Sequence, residues 1–216
     1  LDTIDPAFME KIESSSYLAY SYRDVTILGS SYSFIYSNQT IRKSKDFWFF
    51  RFNAETSGNL LGLISNLAGL EKEEESYNLF GQPFAQYFRA DMDLRYNLII
   101  NDVSSVVYRG FIGAGIPYGN SRAIPFEKQY FGGGANGIRA WQVRTLGPGS
   151  YVPDKTTFLN QTADIKLEAN IEYRFKLFWI LESAVFLDAG NIWSFNDNSQ
   201  EGSVFRFKNV LNDIAL

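Results

Sequence analysis

Histidine and cysteine are both missing from the 216 residues. Their absence removes the usual zinc ligands, the Ser-His and Cys-His nucleophile pairs and any disulfide framework. An enzyme built on a catalytic histidine is therefore excluded, and no residue set calls for a metal or cofactor. A dominant charge is missing as well: 20 basic side chains stand against 24 acidic ones, which leaves no electrostatic footprint for nucleic acid. No stretch approaches ~20 consecutive apolar residues, so a membrane-spanning helix is not expected. The opening Leu1-Asp2-Thr3-Ile4-Asp5-Pro6 lacks the basic start and apolar run of a signal peptide.

Aromatic residues are abundant, with 19 Phe, 13 Tyr and 4 Trp. Such side chains favour strands and the two water interfaces of a membrane. Asp5-Pro6 marks the start of a short helix within residues 1–15. Beyond it the period becomes two. Leu18, Tyr20 and Tyr22 alternate with small or polar residues, as do Tyr32, Phe34 and Tyr36, and then Trp48, Phe50, Phe52 and Ala54. Phe88 to Tyr96 interleaves apolar residues with Arg89, Asp91, Asp93 and Arg95, and Val106 to Ile116 follows the same rule. The strongest signal is Ile165, Leu167, Ala169, Ile171, Tyr173 and Phe175 against Lys166, Glu168, Asn170, Glu172, Arg174 and Lys176. A last strand is expected near residues 180–193, giving seven in all.

One-sided alternation suits a soluble sheet over a core, or an outer-membrane barrel with lipid outside and a polar lumen. Strand length favours the barrel, because these segments reach about a dozen residues where soluble strands have a mode of ~5–6. Loop lengths point the same way. Short connections near residues 38–45, 101–103 and 177–179 alternate with long ones near 58–83, 118–163 and 194–207, and all three long ones fall on one end. The expected fold is all-β: an antiparallel transmembrane β-barrel. Seven strands fall below the floor of ~8, so strands are expected to lie outside residues 1–216.

Within the longest connection, residues 118–163, lies Phe131-Gly132-Gly133-Gly134-Ala135-Asn136-Gly137-Ile138-Arg139-Ala140-Trp141. Its glycines predict a tight, shaped loop that presents Arg139 at a fixed place. The spacing Gly132, Gly134, Gly137 also matches a dinucleotide fingerprint, but Thr145, Gly147, Pro148 and Gly149 will not continue the helix that fingerprint needs. A lone loop arginine is ordinarily solvated; Ile138 and Trp141 beside it would be costly to expose. A guanidinium fork suits carboxylates, and Glu168, Glu172 and Asp188 lie on the polar faces of the strands that follow. A hairpin turning at Leu177-Phe178 would set Glu168 opposite Asp188 and Arg174 opposite Glu182. Plain cross-strand salt bridges are the alternative for these acids. Leu60, Leu61, Leu63, Ile64 and Leu67 read as an amphipathic turn packing on its own loop, and Glu71 to Glu75 as a solvated run.

Three places resemble the outer-membrane insertases of the BamA and TamA type, grouped as the bacterial surface antigen family. Phe126 to Gly133 leading to Ile138-Arg139-Ala140-Trp141 resembles the family's loop motif, usually Val-Arg-Gly followed by Phe or Tyr. Ile171-Glu172-Tyr173-Arg174-Phe175 resembles the acid-bearing strand after it, and Phe186-Leu187-Asp188-Ala189-Gly190-Asn191-Ile192-Trp193 the strand after that. The likeness covers Pro125 to Trp193; Ala140 departs from it where the motif has glycine. It implies an incomplete part of a sixteen-stranded barrel in the outer membrane of a Gram-negative bacterium, crossing it many times. It places the loop 118–163 folded inward and no periplasmic POTRA domain within residues 1–216. It implies that Arg139, presented by Gly137, Ile138, Ala140 and Trp141, enters the lumen and pairs with Glu172 and Asp188, with Glu168 nearby. The implied function is non-enzymatic protein insertion or transport. The implied partners are outer-membrane lipids, nascent outer-membrane proteins as clients, and accessory lipoproteins or periplasmic proteins. A two-partner secretion transporter and a porin-like channel are the alternatives.

Overall fold

The computed structural model describes residues 16–40, 45–72, 76–79, 81–152, 161–196 and 200–216. Six long strands, β1 (Gly29–Ser37), β2 (Phe47–Ser57), β5 (Tyr87–Asn101), β6 (Ser104–Pro117), β7 (Ile165–Phe178) and β8 (Leu181–Trp193), form one antiparallel sheet in that order. Two further strands, β3 (Asn78–Leu79) and β4 (Gln82–Pro83), pair into a second, two-stranded sheet within the connection between β2 and β5. Helix α1 (Ser16–Tyr22) precedes β1, α2 (Asn59–Leu67) follows β2, and α3 (Val210–Asp213) lies near the end of the chain.

The expectation of an all-β transmembrane barrel is corrected by this topology. The described residues form two sheets, neither closed nor curled, because β1 and β8 are the edges of the large sheet and do not bond to each other. A sheet becomes a barrel only when its first and last strands pair, and the ladder stops short of that. The chain is also not all-β. The alternation at Leu18, Tyr20 and Tyr22, expected as a strand, lies in or at the end of α1. Five residues of period two are too few to exclude a helix that tertiary contacts favour. Stacking of Tyr22 on Phe126, with ring centroids 4.5 Å apart, is one such contact. The helix expected within residues 1–15 lies outside the described residues.

Each long strand sends alternate residues to opposite faces. One face carries cross-strand rows of apolar side chains, such as Phe34–Phe52–Met92–Ile112–Leu167. Among the described residues nothing packs over much of this face: Ile112 is 48% exposed, and Phe34, Met92, Ile171 and Leu187 are exposed as well. The opposite face carries Arg51, Asp91, Asp93, Arg95, Arg109, Glu168, Asn170, Glu172 and Asp188, and residues of the connection 118–163 lie against it. The core sits at the long-connection end of this second face. There Tyr87, Ile124, Tyr130, Ile138, Leu146 and Ile165 are buried, together with Ile192 and Trp193.

The last hairpin turns two residues later than its sequence suggests. Trp179 takes a left-handed φ of 54° and Phe178 pairs with Leu181, with an irregularity between Lys176 and Phe178. Glu168 therefore faces Gly190, Asn170 faces Asp188, and Arg174 faces Ala184. The stacked acids Glu168 and Asp188 are avoided, as like charges directly opposite would be destabilising.

Candidate functional site

The glycine-rich tip forms a small closed turn. Gly134 N–H donates to Trp141 O (2.9 Å), Gly137 N–H to Gly134 O (3.0 Å) and Trp141 N–H to Ile138 O (3.1 Å). Gly133 has φ 82°, and a Cβ there would lie 2.2 Å from Gln142 O, so only glycine is accommodated. Gly137 is needed for a different reason: its missing Cβ makes room for the Glu168 carboxylate, whose Oε1 would stand 2.6 Å from it. Ile138 is fully buried, its Cδ1 against the bare backbone of Gly190. Trp141, expected to be sheltered, is 41% exposed, and Ala140 is exposed.

Arg139 is thereby held over the polar face between β7 and β8. Its Nε donates to Asp188 Oδ2 at 2.8 Å and its Nη2 to Asp188 Oδ1 at 2.7 Å, a two-pronged pairing that fits a planar fork. Its backbone N–H donates to Asp188 Oδ2 at 3.0 Å, and Nη1 meets Glu172 Oε2. The guanidinium carbon lies 3.6 Å from the centre of the Phe186 ring. The Asp188 hydrogen bonds hold the guanidinium's pKa above its ordinary value, so Arg139 is a permanent cation. Glu172 is shared, because Arg174 Nε also reaches its Oε1 at 2.6 Å.

Glu168 does not meet Arg139. Its Oε2 accepts from Arg109 Nη1 at 3.2 Å, and its Oε1 is 2.9 Å from Lys166 Nζ. Arg109 belongs to a second cluster that sequence reasoning missed. The side chain of Asp93, 0% exposed, meets Arg95 at 2.9 Å, Arg109 at 3.1 Å and Arg51 at 3.4 Å. A signal for it was present: Arg95 and Arg109 share the polar parity of paired strands and stand directly opposite one another. Two facing guanidiniums require an acid between them.

Asn170 joins the clusters and was also missed, since an uncharged amide carries no charge signal. Its Oδ1 accepts from Arg109 Nη1 (3.0 Å), and its Nδ2 donates to Asp188 Oδ1 (2.8 Å) and to Gly137 O (3.0 Å). Arg109 Nη1 also donates to Asn136 O at 3.0 Å. The tip is thus tied to the sheet by Arg139 from its own side and by Arg109 and Asn170 from the strands. Farther along the connection, Tyr130 is buried and its hydroxyl donates to Ala90 O at 3.0 Å. Burial pushes that hydroxyl's pKa up, against the pull of Arg89 stacked 4.2 Å from the ring centre. Among the described residues, no group of three or more Asp or Glu is placed to hold a metal ion. The arrangement positions the loop tip against the sheet.

Residues 7–211 match the model of the Omp85 superfamily domain. The chain is also similar to the outer membrane protein assembly factor BamA of Neisseria meningitidis serogroup B (strain ATCC BAA-335 / MC58), with 24% identity over 133 residues. That match covers 58% of this chain and 17% of the relative's length.

Proposed function

This chain belongs to the Omp85 superfamily, and on that premise we propose that it serves the assembly or translocation of other outer-membrane proteins by a non-covalent mechanism. In this reading the exposed apolar face of the large sheet meets acyl chains. The polar face, with the connection 118–163 clamped to it by Arg139, Asp188 and Glu172, lines the side along which client polypeptides are handled. Family membership carries the general role. The single observation that supports the mechanism is the Arg139 fork on Asp188, which orders a long irregular segment against the sheet. The uncovered apolar rows support the lipid contact, because large contiguous apolar patches mark interaction or membrane surfaces. Lipids, nascent outer-membrane proteins and accessory proteins are the partners this reading requires.

A charge swap tests it in cells that depend on the protein. Arg139→Asp should lower the levels of folded outer-membrane proteins, and adding Asp188→Arg should restore part of the loss. Full client levels in the single variant would refute the reading and leave a porin-like channel, whose signature is conductance that changes with Arg139. Loss of one secreted substrate, with other outer-membrane proteins intact, would instead point to a dedicated secretion transporter.

A further inference from the structure

Helix α2 is built inside out for a water-facing loop. Leu60, Leu63, Ile64 and Leu67 recur at the spacing of one helical face, and this face points away from the protein: Leu63 is 56% and Leu67 79% exposed. The side turned to the protein holds the small residues Gly62 and Ser65, both buried. A Cβ on Gly62 would stand 3.0 Å from Gln86 Nε2, so the helix rests closely on Gln86.

The helix is fixed to the apolar side of the large sheet. Thr56, Phe88 and Ile116 form the last apolar-face row, and the next row brings Gln86 and Tyr118 together through the Tyr118 N–H to Gln86 O bond at 3.0 Å. Tyr118 hydroxyl donates to Asn59 Oδ1 at 2.6 Å, and Asn59 Nδ2 to Thr56 Oγ1 at 2.8 Å. Asn59 starts the helix, so its first turn is tied directly above the Phe88–Ile116 row. The Leu/Ile stripe therefore continues the sheet's apolar surface.

At the other end of that surface stand Trp48, Tyr96 and Tyr108, with ring centroids 4.5 and 6.4 Å apart along the row. From Tyr108 to Tyr118 is about ten rises of about 3.3 Å, the length of strand that crosses a membrane at a tilt of about 45°. Aromatic rows flank such bands at the water interface. Here one border is aromatic and the other is a helix with an aliphatic outer face.

We propose that α2 is an interfacial lipid anchor: Leu60, Leu63, Ile64 and Leu67 lie in the boundary between headgroups and acyl chains at the long-connection end of the sheet. This rests on the reading that the sheet's apolar face meets lipid, and adds that the membrane extends over a loop helix. Residues 59–67 carry no charge, so the affinity comes from apolar area and is insensitive to the anionic lipid content.

The absence of cysteine makes the test direct. Leu63→Cys, Ile112→Cys on the sheet's apolar face and Asp102→Cys in a short turn are each spin-labelled in the full chain. The labelled proteins are reconstituted in phosphatidylcholine vesicles with and without phosphatidylglycerol. The expected result is a several-fold higher ratio of oxygen to nickel-chelate collisions at residues 63 and 112 than at 102, unchanged by the anionic lipid. Nickel access at 63 with lipid exposure at 112 overturns the anchor and leaves the membrane reading standing. Nickel access at both overturns both. Shielding of 63 from either reagent overturns lipid as the occupant and identifies a protein cover instead.

Discussion

Truncation of Arg139 to alanine removes the fork from a nearly buried acid, and its effect follows from what remains around Asp188. The Asp188 side chain is 5% exposed and that of Arg139 22%. Stripping one partner from a buried pair costs about 3–5 kcal/mol, because the survivor is left charged and poorly solvated. Asp188 would keep two donors, the residue-139 backbone N–H and Asn170 Nδ2, and Glu172 would keep Arg174. The cost should fall at the low end, about 3 kcal/mol, or roughly two powers of ten in the equilibrium between tied and released tip. Hydrogen exchange at the Gly134, Gly137 and Trp141 amides reads this equilibrium, and about a hundredfold acceleration is expected there. The β5–β6 ladder amides should be unchanged. In the cycle with Asp188→Asn the double variant should cost less than the two singles added, with a coupling above about 1.5 kcal/mol. Acceleration below about fivefold, or additive single effects, would refute the clamp.

Three further outcomes are expected. Gly137→Ala places a methyl against the Glu168 carboxylate, which Arg109 and Lys166 hold in place; a loss of about 1–3 kcal/mol, the scale of overpacking, should appear as a lowered thermal midpoint. Asp93→Asn leaves Arg51, Arg95 and Arg109 without their shared counter-charge and should cost about 3–5 kcal/mol in denaturant unfolding, more than Glu172→Gln. The Tyr130 hydroxyl's raised pKa means that the folded state favours its neutral form. Its contribution is therefore complete below about pH 10, the ordinary phenol value, and is lost as pH rises beyond it. Alkaline limited proteolysis of the connection 118–163 should show this loss, and Tyr130→Phe should flatten the dependence while weakening the tie to Ala90.

The legible part of the fold was the part that side-chain alternation encodes. Between Phe88 and Trp193 the polar and apolar parities alternate over long stretches, and β5, β6, β7 and β8 follow them. The register of the last hairpin was not legible, because Lys176-Leu177-Phe178-Trp179-Ile180-Leu181 contains no glycine, proline or asparagine to mark the turn. A slip of two residues keeps every side chain on its face but changes its partner. That slip moved Asp188 from Glu168 to Asn170. Sheet closure was not legible either, since alternation reports two faces and says nothing of which edges meet. The contact of Arg139 with Glu172 and Asp188 was approached through the fit of a guanidinium to nearby acids and a family resemblance. Spacing alone gave no reason for Glu168 to choose Arg109 and Lys166. The outward face of α2 was not legible, because amphipathicity fixes a stripe but not the direction it points.

Asn170 gives the tip an attachment of a different kind from the ion pairs beside it. Its amide has no proton to lose and no charge to screen, yet it grips a backbone carbonyl of the tip, an aspartate of one neighbouring strand and an arginine of the other. Acid or brine that slackens the charged contacts leaves its bond to the neutral Gly137 carbonyl in place. The segment should then loosen by swinging about Asn170 rather than by lifting away whole, and Asn170→Leu would turn that pivoting into full detachment.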